Sequence, residues 1–459
     1  MPDADNLRRL LLPAAVLLLV ASWLGGGATE DPRPVDEWVL LLSLPVLALA
    51  VAVLTLDGSP SSAPVRWGIA GALLIAAVPW LQLLPVPAGL WQLPEARAAM
   101  AADLAAAGAA PVASRWSLTP GATEQAFWAL MPALAAFMAA LALSATQRRR
   151  LLQIVLALIL FNVAFAFFQT GLPRDSSLRL YPDFIGGFGG LLVNTNHQAT
   201  ACIIGMVLAI GLAMEARLRA RNGQARPHTP WWYWGAALAL FLLVPLSTSR
   251  AGMAIALPAL AAALVLTGAL QIGRLGRSKR AAGIAIVLSV VAIVGVRAAM
   301  GWMAVDQAEE LRHILSSAAF DIGKQHAPLG SGIGSFRQAF EPDAPQALWL
   351  ANYVNHAHNE YAQWWLTGGW LGMLVLAGVL ALLVRIAWGL LPLSGEGRSA
   401  VITGASLAAI LAAMAHSWAD YPLRTTALMT TIAALAGVML ASFAEAAERR
   451  GKARSATGT

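Results

Sequence analysis

The sequence predicts an all-α fold, a polytopic membrane bundle of about twelve transmembrane helices with a sizeable loop between spans nine and ten. Three observations carry this. Of 459 residues, 58% are hydrophobic and only 12% are charged, against roughly 25% charged in an ordinary soluble domain. The mean hydropathy is +0.65. Apolar runs long enough to cross a hydrocarbon slab of about 30 Å recur along the whole chain. A water-soluble globular enzyme is thereby excluded.

The spans read, in order, 10–27, 37–56, 67–84, 122–144, 150–170, 193–214, 231–246, 250–270, 281–299, 359–390, 399–418 and 424–443. The seventh is marginal in length. Turn-rich or charged connections such as 57–66 (DGSPSSAPVR) and 391–398 (LPLSGEGR) separate them. Three connections are long: 85–121, 171–192 and 300–358, the last with short helices expected around 304–322 and 334–340. The chain therefore divides into N-terminal spans and a first long loop (1–121), a core carrying Asn196, His197 and Arg250 (122–299), a large loop (300–358), C-terminal spans (359–443) and a basic tail (444–459).

The formal charge is +7, but its distribution matters more than its size. With the N-terminus in the cytoplasm, the connections on that side hold Arg8, Arg9, Arg148–Arg150, Arg217, Arg219, Arg274, Arg277, Arg449 and Arg450, with few acids. The opposite connections carry the acidic excess. Lys and Arg on short loops stay inside, so both termini are predicted cytoplasmic and the long loops outside. The basic pI is a topology signal and not a sign of nucleic-acid binding. The first segment, Arg8/Arg9 followed by an apolar run and GGGAT, looks like a signal peptide. We read it as a retained helix because the segments after it are polytopic. The single cysteine, Cys202, excludes an intramolecular disulfide and a multi-cysteine metal site.

Ionisable groups near membrane depth cost about 2.5–3.5 kcal/mol for Arg on insertion scales, and by default they suggest function. The predicted topology brings several to the same outer level: Asn194, Asn196 and His197 in LLVNTNHQAT, Arg250 in PLSTSRAGMA, His356, His358, Asn359 and Glu360 in NYVNHAHNEYAQWW, and His416, Asp420 and Arg424 in AHSWADYPLR. Arg250 reads either as a snorkelling interfacial arginine or as an anion clamp, since guanidinium pairs with phosphate and stays charged. Arg312, in AEELRHILSSAAFD, reads by itself as a solvated charge. His358 is able to accept a proton near neutral pH, or to cap a helix, with Glu360 and Asn359 orienting it or a substrate. His356 and His358 lack a HExxH-like partner pair, so no metal site is predicted. His416 and Asp420, four apart, would share a helix face, as a structural hydrogen bond or a proton relay. Gly330, Gly332 and Gly334 in PLGSGIGSF lack the GKS/T ending of a P-loop and read as a tight turn beside the site, against a substrate.

Four stretches in this order, LLVNTNHQATACIIGM, VPLSTSRAGMAIAL, RHILSSAAFDIGKQHAPLGSGIGSFRQAF and VNHAHNEYAQWWLTGGWLGML, resemble the O-antigen ligase and polymerase superfamily of bacterial envelope glycosyltransferases. The likeness extends over about residues 120–440. It implies a bacterial inner membrane with the active face periplasmic. It implies transfer of glycan from an undecaprenyl-diphosphate carrier to lipid A–core, to another carrier-linked glycan or, in some members, to a protein hydroxyl. Arg250 and Arg312 would then engage the diphosphate and His358 would be the base, with Asn196, His197, Asn359, Glu360 and Asp420 shaping the substrate site. Such a transfer requires no cofactor and no metal. The implied partners are the lipid-linked donor, the acceptor and membrane lipids, with no nucleic acid. Ligase and polymerase share this donor chemistry and stay open. The alternative from another class is a transporter or lipid-linked glycan flippase, which would use midplane sites at broken helices or between repeats; a non-catalytic scaffold is the third.

Overall fold

The computed structural model describes residues 4–29, 34–58, 62–109, 114–173, 175–181, 188–270, 307–349 and 354–457. The ninth expected span, 281–299, lies outside the described residues. The fold is all-α. Long helices α1 (Ala4–Gly25), α2 (Pro34–Leu56) and α3 (Ala63–Gln82) lead to a connection holding α4 (Ala88–Trp91) and α5 (Glu95–Ala106) between two paired two-residue strands, β1 (Pro85–Val86) and β2 (Ser114–Arg115). Then come α6 (Pro120–Ala129), α7 (Met131–Ala142), α8 (Ala145–Thr170), α9 (Thr195–Arg221), α10 (Thr229–Leu243) and α11 (Arg250–Leu266). After the next connection follow α12 (Gln307–His326), α13 (Phe336–Phe340), α14 (Glu360–Leu390), α15 (Arg398–His416) and α16 (Thr426–Thr457). Among the described residues, ten helices are long and apolar enough to cross a bilayer, α6 and α7 counting as one. The eighth expected span is the shorter α11, of 17 residues.

Helix α9 is the axis of the bundle, buried on every face from Asn196 to Ala216 and packed by α8, α10, α11 and α15. Apolar attraction does not drive helices together in lipid, so close van der Waals fit must. Small residues permit it: a methyl group at Gly211 would come within 2.3 Å of Ala405 on α15. The start of α9 is braced from α8, where buried Asn162 accepts the N–H of Leu191 (2.7 Å) and donates to Gln198 (2.6 Å). At the opposite end of the bundle, the buried Arg148 guanidinium pairs with Glu445, whose second oxygen accepts from Ser399 (3.0 Å). This joins α8, α15 and α16.

Helix α14 is broken. Gly369 takes φ 60° and ψ −152°, which frees backbone groups that a low-dielectric surrounding cannot leave unbonded. The turn at 328–334 supplies the partners. Ser331 N–H donates to Leu366 O (3.0 Å), Gly332 N–H to Thr367 O (2.9 Å), and Trp370 N–H to Pro328 O (2.9 Å). Gln82 spans the same junction, donating to Thr367 O (3.0 Å) and accepting from Ile333 N–H (2.8 Å). The glycine motif is thus a tight turn, as its sequence suggests. Its neighbours, however, are the backbone of the broken helix, because Gly330 has φ +75° and a Cβ there would lie 2.5 Å from Gly369 N.

The connection 85–121 closes over this turn. Arg97, fully buried, donates to Trp116 O and Gly330 O, both at 2.6 Å, and Trp116 Nε1 donates to Leu329 O (2.7 Å). Burial pushes the Arg97 guanidinium down to about 10, so it stays protonated at neutral pH. Burial, and then the charge of Arg97, lower the nearby His326 to about 4.

Two outcomes follow for purified protein in detergent. Gly330→Ala loses at least about 1–3 kcal/mol, the strain of a non-glycine residue in the left-handed region, with the clash in addition. Gly121→Ala, which meets open space, melts like wild type. The second outcome concerns acid. The unfolded His326 takes up a proton below about 6.5 that the folded one refuses down to about 4, so stability rises with pH across that window. The melting temperature falls as pH drops from 6.5 toward 4, and His326→Gln shows a shallower dependence.

Candidate functional site

Three helix ends meet around Asp420, which lies in the short link between α15 and α16 and is wholly buried. The first is the start of α9. Asn194 caps it, its Oδ1 accepting the N–H of Asn196 (2.8 Å), while its Nδ2 lies 3.4 Å from Asp420 Oδ2. The Asn196 amide donates directly to the same carboxylate oxygen. One residue on, His197 is buried with Nε2 3.8 Å from Asp420 Oδ1. The other oxygen also takes the N–H of Tyr421 (2.8 Å). A buried carboxylate is tolerated only when its lone pairs are met by donors, and here two amides and a backbone N–H do so.

The second contribution comes from the segment before α14. His358 has the left-handed φ of +48°, rare outside glycine. Its Nδ1 approaches Asp420 Oδ1 to 3.4 Å, and its side chain is 20% exposed, against 0% for the aspartate. His356, beside it, contacts Gln363 Nε2 through Nδ1 (3.2 Å). Burial, followed by the charge of Arg424, pushes His356 well below the ordinary histidine value. Burial would raise Asp420; the close approach of His358 and the charges of His197, His358 and Arg312 outweigh it and hold the carboxyl far below the usual range. Asp420 is therefore an anion at neutral pH.

Other sequence-selected residues have separate jobs. Asn359 caps α14, its Oδ1 accepting the N–H groups of Tyr361 (3.0 Å) and Ala362 (3.1 Å). Glu360 receives Arg424 through Nη2 (2.9 Å) and Nε (3.1 Å), and its own N–H donates to Ser417 O (2.8 Å). These contacts fasten the start of α14 to the α15–α16 link. His416 turns its Nδ1 to Thr200 Oγ1 (2.8 Å), and its link to Asp420 is through the backbone, Asp420 N–H to His416 O (3.0 Å). Arg312, half-buried on α12, is near enough for its charge to act on Asp420. Arg250 opens α11 two residues before Gly252, where a Cβ would meet Ala199 of α9 at 2.5 Å. The start of α11 thus packs against the first turns of α9.

Tyr421 is a centre that the sequence did not single out. Its ring centroid lies 4.5 Å from His356, 4.7 Å from His358 and 5.1 Å from His197. Its only sequence signal is its place next to Asp420. Among the described residues, no group of three or more His, Cys, Asp and Glu side chains has an arrangement that would hold a metal ion.

Fold and site define a polytopic helical membrane protein with a buried carboxylate–histidine centre where several helix ends meet. Residues 234–377 match the family model described as O-antigen ligase, which supports the O-antigen ligase and polymerase superfamily read from the sequence and, broadly, membrane glycan ligase or polymerase activity. The matched stretch contains Arg250, Arg312, His358, Asn359 and Glu360; Asn196, His197 and Asp420 lie outside it. No curated protein matches the chain.

Removing one member of the Glu360–Arg424 pair leaves a mostly buried charge alone. Arg424→Met is expected to destabilise the protein by about 3–5 kcal/mol, read as a lowered melting temperature. The double variant Glu360→Gln/Arg424→Met recovers most of that loss.

Proposed function

We propose that this chain transfers glycan from an undecaprenyl-diphosphate carrier to an acceptor hydroxyl, at the periplasmic face of a bacterial inner membrane, with both termini in the cytoplasm. The observation that carries this reading is the His358–Asp420 pair. Asp420 lies against the buried Nδ1 of a histidine whose ring is otherwise partly open. A carboxylate beside Nδ1 favours the tautomer with its proton there, which leaves Nε2 as the basic nitrogen.

The chemistry then balances simply. The acceptor oxygen forms a bond to the anomeric carbon as the bond from that carbon to the carrier diphosphate breaks. The hydroxyl proton goes to His358 Nε2, and the electron pair leaves with the diphosphate. A single displacement of this kind inverts the anomeric centre. Arg250 and Arg312 receive the negative charge that grows on the leaving group. Asn196 and His197 hold the carboxylate side of the centre, and Asn359 and Glu360 hold the segment that presents His358. The diphosphate is already an activated leaving group, so this scheme routes no step through a cofactor or metal.

A transporter would also be polytopic, and the break in α14 is a feature that transporters share. Here the freed backbone groups of the break bond to the 328–334 turn, and the ionisable cluster sits at helix ends. Those two facts favour transfer over transport.

The test is glycan profiling of cells lacking the protein, complemented with wild type or with His358→Ala at equal membrane abundance. His358→Ala is expected to lower transfer by about 10²–10⁴-fold, the range of a lost general base, and Arg312→Met by about 10²–10³-fold. Loss of long glycan from lipid A–core with carrier-linked polymer still present identifies a ligase. Accumulated single repeats identify a polymerase. A normal profile from His358→Ala refutes the reading.

A further inference from the structure

The chain leaving α1 runs Gly26–Gly27–Ala28–Thr29, and its backbone is stitched into two of the helix starts that frame the site. Gly26 O accepts the N–H of Ala427 in the first turn of α16 (3.1 Å), and Gly27 O accepts the N–H of Val193, just before the Asn194 cap (3.2 Å). The fit has no slack. A Cβ on Gly27 would lie 1.8 Å from Leu191 O, and one on Gly26 2.6 Å from Thr426 Cβ. Upstream, Trp23 is fully buried and donates to Thr431 on α16 (3.0 Å).

Thr29 reaches further in. The side chains of Thr29, Asn194 and Asn355 lie around the Tyr421 hydroxyl, close enough to act on it. These residues come from the exit of α1, the cap of α9 and the segment that carries His358. The same tyrosine sets its ring edge-on to His358 at 4.7 Å and gives its N–H to Asp420. Backbone strain such as the left-handed φ of His358 survives only where surrounding contacts over-determine it. Tyr421 and Asp420 are those contacts on one side.

We propose that residues 26–29 and Tyr421 are a positioning element of the transfer site. Thr29 anchors the Tyr421 phenol, Tyr421 limits the swing of His358, and Gly26 and Gly27 tie the exit of α1 to the helices that bear Asn196 and follow Asp420. The proposal rests on His358 acting as the base. It also requires α1 to stay joined to the working protein, although GGGAT has the look of a cleavage site.

The test measures transfer by purified protein in nanodiscs, with a polyprenyl-diphosphate-linked glycan as donor. Wild type is compared with Thr29→Val, Thr29→Ser, Tyr421→Phe and His358→Ala. Thr29→Val and Tyr421→Phe are expected to lower kcat about five- to tenfold, the scale of one lost hydrogen bond, with donor KM kept within about twofold. Thr29→Ser, which keeps the hydroxyl, restores wild-type kcat. Intact mass of the active protein includes residues 4–25. Wild-type kcat in Thr29→Val and Tyr421→Phe, with His358→Ala inactive, overturns this proposal and leaves the base assignment standing. A change confined to KM overturns it too, by making these side chains substrate contacts. Active protein that lacks residues 1–29 also overturns it, and an active His358→Ala overturns both readings.

Discussion

The buried negative charge of Asp420 is the constraint on which the rest of the site depends. A carboxylate withdrawn from water is costly unless donors replace the lost hydration. Short-range donors cannot all come from one helix, because Asp420 sits in the link 417–425 between α15 and α16. The start of α9 must therefore come up beside it with Asn194 and Asn196, and the segment before α14 must fold back to bring His358. What neutralises the carboxylate also assembles the residues that would do chemistry. Arg312 adds its charge from α12, so a loop helix and the membrane bundle respond to the same anion.

A second constraint acts on the backbone. Breaking α14 at Gly369 leaves carbonyl and amide groups that lipid cannot satisfy. The 328–334 turn meets them, Gln82 from α3 joins in, and Arg97 seals the turn from the far side. The upper part of α14, which begins two residues after His358, is thereby held on three sides. In the proposed transfer this rigidity would serve His358, since a general base must be held within a fraction of an ångström of its working geometry.

The ion pair of Glu360 with Arg424 shows the same economy of position. Both residues stand out in the sequence, being charged and close to membrane depth, and Glu360 reads there as a substrate-site candidate. In the fold they satisfy one another across the junction of α14 with the α15–α16 link. His416 is similar: its spacing of four from Asp420 suggests a side-chain contact, yet its ring turns to Thr200 on α9 because Asp420 lies beyond the helix end.

Much of the architecture was legible from the residues themselves. Membrane-crossing helices need long apolar runs, and that requirement is local, so the spans of α1–α3, α8–α10 and α14–α16 could be read directly. The polar residues at helix ends were legible for the same reason, since a charge inside an apolar stretch stands out. The break in α14 was not, because LTGGWLGML stays apolar throughout and the partner turn lies some forty residues upstream. Nor was Tyr421 as the ring against which His197, His356 and His358 gather. Hydropathy and spacing thus determined which segments enter the membrane and at which helix ends polar groups lie. Only the tertiary structure decided which of those ends share one carboxylate, because lateral packing depends on small-residue contacts and hydrogen bonds between segments hundreds of residues apart.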